Sequence, residues 1–107
     1  MKYRVIFQPR ALSSLEEQYR HIANDNPEAA AKWLNRFVDA IEGLSDKPER
    51  CPVARESEHV GIEIRQFLFG KRQGVRRVLF VVDGNTVRIL SVRHSAQADV
   101  APDDLLG

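Results

Sequence analysis

The last patterned stretch of the chain, VRILSVRHSAQ at residues 87–97, runs into an arginine, a histidine and a serine. More cations precede it. Residues 65–94 hold seven Lys or Arg (Arg65, Lys71, Arg72, Arg76, Arg77, Arg88, Arg93) against Asp83 alone, net +6. Residues 1–64 sum to −2 and residues 95–107 to −3, so the overall charge of +1 conceals one strongly basic segment. Clustered charge of one sign sets up a field that draws an anionic partner. The plainer alternative is a solvated basic sheet face with no partner.

Two kinds of chemistry fit these residues. Cleaving RNA through its own 2′-OH needs a general base, a general acid and cations where charge develops on the phosphate. Arginine supplies only the cation, because it stays protonated at neutral pH. His94 is then the titratable member of a catalytic set completed by Arg77 and Arg93. The other possibility is docking without catalysis, with Arg65, Arg76, Arg77, Arg88, Arg93 and His94 as the surface that meets an acidic target. Strand alternation sends Arg77 to the opposite face from Arg76, and puts Arg93 on the face of Val87, Ile89 and Ser91. Pairing of the two strands would set Arg77 near Arg93.

Other chemistries lack their residues. His21, His59, His94 and Cys51 are too scattered to pre-arrange a metal site, and no metal or cofactor is expected. The glycines form neither a phosphate-binding loop nor a dinucleotide fingerprint. Ser91 and Ser95 lie near His94 but outside any nucleophile elbow. Phe67, Phe69 and Phe80 are the only rings in the basic region that could stack on RNA bases, and their setting is that of core residues.

The elements that position these residues follow from periodicity. KYRVIFQ at 2–8 alternates as a strand, and Pro9 suits the first turn of a helix. Leu12, Leu15, Tyr19, Ile22 and Ala23 form one apolar helical stripe; Ala30, Trp33, Leu34, Phe37, Ile41 and Leu44 form a second. NDNP at 24–27 separates them, with Asn26 as a cap and Pro27 opening the second helix across a three-residue link. Residues 45–61 lack periodicity and read as a surface loop with at most one short turn. Strands follow at 62–69, 75–83 and 86–93, joined by GKRQG and by DGN, a tight-hairpin signal. The fold class is α+β in the order β-α-α-β-β-β, a helical hairpin packed on one face of a small, mostly antiparallel sheet. The uncovered face would await a partner.

At 107 residues, 43% apolar and 29% charged, the chain has the composition of one globular domain. The division expected is a domain over 1–98 and an acidic C-terminal tail over 99–107. The longest apolar run, 78–82, cannot span a bilayer. No signal segment follows Met1, and one cysteine makes no internal disulfide, so a cytoplasmic protein with no membrane partner is expected.

Three stretches together carry a resemblance: YRVIFQPRALSSLEEQYRHIA; the hairpin running into Leu44, Pro48 and Pro52; and IRQFLFGKRQGVRRVLFVVDGNTVRILSVRHSAQ. Over residues 2–98 they resemble the RelE/ParE superfamily, the toxins of bacterial type II toxin–antitoxin modules, also called plasmid stabilisation proteins. RelE-like members are ribosome-dependent mRNA endonucleases, metal-independent, that cut in the decoding site. On that pattern Arg77 matches the penultimate-strand arginine and Arg93 the last-strand arginine, while the acid/base positions fall near Ser95 and Ala96, where nothing ionises. ParE-like members poison DNA gyrase and end their last strand in an arginine or histidine followed by small residues, as VRHSAQ does. The resemblance thus implies a growth-inhibiting ParE-like toxin. Its target would be gyrase or the gyrase–DNA complex, and its inhibitor a cognate antitoxin. The alternatives are a RelE-like nuclease working on ribosome and mRNA, or a non-toxic protein-binding module of the same fold.

Overall fold

Each apolar stripe finds its surface in the computed structural model, which describes residues 2–71 and 74–94. The order is β1 (Arg4–Phe7), α1 (Pro9–Asp25), α2 (Pro27–Glu42), a short α3 (Ser57–Val60), β2 (Arg65–Phe69), β3 (Arg76–Asp83) and β4 (Thr86–His94). Helical geometry persists through Asn24 and Asp25, so Asn26 alone separates the two long helices and the expected three-residue link shrinks to one. Its side-chain oxygen accepts a hydrogen bond from the Ala29 N–H at 3.1 Å, and Pro27 takes the first position, where a missing N–H costs nothing.

The four strands form one sheet in the order β1-β4-β3-β2. β1 runs parallel to β4, and the other two pairings are antiparallel. Both apolar strands, β3 and β4, are therefore interior. The helices cover one face, where Ala11, Leu15, Phe37 and Ile41 meet Val78, Phe80, Val87, Ile89 and Val92. Phe37 is fully buried and anchors the aromatic group: Trp33 stacks on it at 5.7 Å and Phe69 meets it edge-on at 5.2 Å.

The second face is not left bare. Ala54 and Ile64 close over Leu79 and Leu90, with Val60 and Val81 beside them. Leu44, expected in the second helix, is buried in a 3₁₀ turn at Gly43–Ser45, and the stretch read as a surface loop contributes core too: it holds a 3₁₀ turn at Pro48–Arg50, then α3, and it buries Pro48, Ala54 and Glu56.

Alternation breaks once, in β4. Leu79 pairs with Ser91 but Phe80 pairs with Ile89, so Leu90 is an extra residue, a β-bulge. Val87 and Ile89 face the helices before it and Val92 faces them after it. Arg93 consequently lies on the opposite face from Val87 and Ile89, which corrects the simple period-two reading. Among the described residues no helix is long and apolar enough to cross a membrane. The boundary at 98, the tail at 99–107, Arg72, Ser95 and Ala96 lie outside the described residues.

Candidate target-binding surface

Of the arginines expected to converge, Arg77 is the one the fold consumes. It is 4% exposed on the helix-free face of β3. Its guanidinium donates to both carboxylate oxygens of Glu56, at 2.8 and 2.7 Å, and its Nε–H donates to Gln66 Oε1 at 2.9 Å. Glu56 itself is 1% exposed. A bidentate pair of this kind fastens the 52–64 segment to the sheet. Arg65 is likewise engaged: it donates to the backbone carbonyls of Glu49 (2.8 Å) and Cys51 (2.6 Å) and pairs with Glu63 at 2.6 Å.

Arg76 faces the helices. Its Nε–H donates to Gln18 Oε1, another N–H donates to the Gly74 carbonyl at 2.9 Å, and its guanidinium carbon sits 5.6 Å over the Trp33 ring. Burial lowers its pKa from the usual arginine value. His94 pairs in register with Arg76 and shares a cleft with it, Ser14, Glu17, Gln18 and His21.

Arg93 pairs in register with Arg77, as expected, so these two share a face. It reaches a cleft of about 380 Å³ at the N-terminal end of α1, with Arg10, Ser13, Glu17 and Ser91, and its Nε is buried with no hydrogen-bond partner among the described residues. This cleft exists because β1 ends at Phe7, opposite Ile89, leaving residues 90–94 of β4 without a strand neighbour on that edge. α1 compensates: Ser14 (2.9 Å) and Gln18 (3.0 Å) both donate to the Val92 carbonyl. Arg88 is half-exposed on the helix-free face, 3.9 Å from Asp83.

By register the six residues are thus divided between two faces, and the Arg93 and His94 clefts meet only at Ser14 and Glu17 of α1. Arg76, His94 and Arg65 belong to the helix side; Arg77, Arg88 and Arg93 belong to the other. The nuclease set is divided in the same way, with His94 across the sheet from Arg77 and Arg93. Gln18, Glu56 and Gln66 escaped the sequence reading because their partners are 58, 21 and 11 residues away. No local signal in the sequence marks Glu56 as the partner of Arg77. Among the described residues no group of three or more His, Cys, Asp or Glu could hold a metal.

With this geometry in place, comparison with known proteins is informative. No curated protein matches the sequence significantly. Among solved structures, a chain of the chromosomal ParDE toxin–antitoxin system from P. aeruginosa is similar, with a TM-score of 0.68 and 21% identity over 87% of this chain and 96% of that one. At that identity the likeness concerns the fold. The family of ParE toxins of type II toxin–antitoxin systems (parDE) matches residues 5–99, nearly the whole chain. This protein belongs to the ParE toxin family of type II toxin–antitoxin systems.

Proposed function

We propose that the chain arrests bacterial growth by inhibiting DNA gyrase in the cytoplasm and is held inactive by a cognate antitoxin. Family membership supports a type II toxin; the choice of target rests on one structural observation. A nuclease would need Arg77, Arg93 and His94 around one phosphate, yet Arg77 is sealed against Glu56 and His94 lies on the other face of the sheet. Arg88 and Arg93 retain contact with solvent and suit the surface of an acidic gyrase–DNA target, which requires cations but no proton transfer. Exposed Leu12, Val38 and Leu68 supply apolar surface for an antitoxin helix or strand.

Induction in bacteria tests this. The expected outcome is growth arrest with DNA damage, intact mRNA, and rescue by co-expressed antitoxin. Codon-periodic mRNA cleavage would transfer the function to the nuclease alternative, and unimpeded growth would leave a non-toxic binding module.

A further inference from the structure

A cavity of about 600 Å³ opens between α1, α2 and the β2–β3 connection, away from the Arg93 cleft. Ile22, Trp33 and Phe69 give it an apolar floor, while Arg36, Lys71 and Arg76 stand around it. No acid lines it among the described residues. Arg76 is already held by Gln18 and Gly74. Arg36 and Lys71 are exposed and have no ion-pair partner among the described residues.

The state of Trp33 decides what such a cavity can take. One ring stacks on it, Phe37 at 5.7 Å and 23°, and the Arg76 guanidinium sits over it at 5.6 Å. What Trp33 offers the cavity is therefore its edge. A nucleobase needs a free aromatic face to stack on, and Trp33 already carries a ring and a guanidinium. A branched or aromatic side chain, by contrast, packs well against the edges of Trp33 and Phe69, and carboxylates flanking it would meet Arg36 and Lys71.

We propose that this cavity anchors an acidic peptide segment of the cognate antitoxin, packing one apolar side chain against the floor of Ile22, Trp33 and Phe69 and setting carboxylates on Arg36 and Lys71. Naming the antitoxin as the source rests on the toxin reading above; the chemistry of the site rests on its own lining. Insertion of an apolar anchor gives affinity, and the two cations select an acidic neighbour sequence.

Trp33 is the only tryptophan in the chain, so its emission reports directly on the cavity. The probe is a tryptophan-free synthetic peptide alternating Glu and Leu, titrated into the full chain alongside polyglutamate and a single-stranded oligo(dT). The peptide is expected to give a saturable blue shift that the other two polyanions do not give. The R36E/K71E variant, altered only at exposed positions, should keep its melting temperature and bind the peptide at least ~10-fold more weakly, equivalent to ~1.4 kcal/mol. An absent shift, an equal shift with oligo(dT), or undiminished binding by R36E/K71E would overturn the proposal. Calorimetry with the full-length antitoxin separates this from the toxin reading. Equal affinity for wild type and variant sinks the site and leaves the toxin intact, whereas absence of growth arrest on induction sinks the toxin reading while the peptide titration still reports on the cavity.

Discussion

Replacing Arg77 should unfold the protein rather than blunt a binding surface. In Arg77→Met the Glu56 carboxylate stays 1% exposed, having lost both guanidinium bonds of 2.8 and 2.7 Å, and Gln66 loses its 2.9 Å donor. Stranding one member of a buried pair costs on the order of 3–5 kcal/mol. Domains of this size lose roughly 4–8 °C of Tm per kcal/mol, so the expected fall is more than about 12 °C. A total stability of about 5–15 kcal/mol leaves little margin for that. Glu56→Leu should cost a similar amount, because Arg77 stays charged with its carboxylate partner removed. The double variant Glu56→Leu/Arg77→Met removes both charges together, and its loss should fall well below the sum of the singles. Urea denaturation of the four proteins gives the cycle. If Arg77→Met lost less than about 1 kcal/mol, or if the two losses added, the pair would not be the clamp that secures the 52–64 segment, and Arg77 would return to the candidates for target contact.

Two further outcomes follow from particular positions. Gly70 has φ +99°, and a Cβ there would lie 2.6 Å from the Gly74 carbonyl oxygen, so Gly70→Ala should cost about 1–3 kcal/mol in the same denaturation assay, whereas Gly43→Ala meets no atom within 4 Å and should be nearly neutral. Burial raises the pKa of the Cys51 thiol, an effect that nearby Arg50 and Arg65 only partly oppose. The folded chain therefore holds that proton more tightly than the unfolded one. The thiol's contribution to stability is intact below the unfolded value of about 8.5 and is lost as pH rises through the higher folded value. Iodoacetamide should alkylate the folded protein more slowly at pH 7.5 than the urea-unfolded chain, with a midpoint displaced to higher pH; coincident pH–rate curves would contradict this.

How far the sequence spoke depended on the range of the interactions involved. The helical hairpin was legible because its signals are local: two stripes at helical spacing, Pro9, and Asn26 ahead of Pro27. The interior position of β3 was equally plain from VLFVV, which is apolar on both faces. The bulge at Leu90 left a trace too, since Ile89 and Leu90 are adjacent apolar residues after which the alternation resumes with the opposite parity. Read without that shift, Arg93 falls on the wrong face. The use of Arg65, Arg76 and Arg77 inside the fold left no local trace, because each is satisfied by a distant group: the carbonyls of Glu49 and Cys51, the Gln18 amide, and the Glu56 carboxylate. Charge density along a chain thus overstated the charge available on its surface. The segment that carries Glu56 looked like a loop for the same reason, since its burial of Ala54 and Ile64 over Leu79 and Leu90 has no period.

The central claim is that this ParE-family chain acts on gyrase without cutting RNA. Purified protein added to DNA gyrase, ATP and relaxed plasmid should block supercoiling in proportion to its concentration, and stoichiometric antitoxin should restore it. Undisturbed supercoiling, together with cleavage of mRNA on translating ribosomes by the same preparation, would contradict the account.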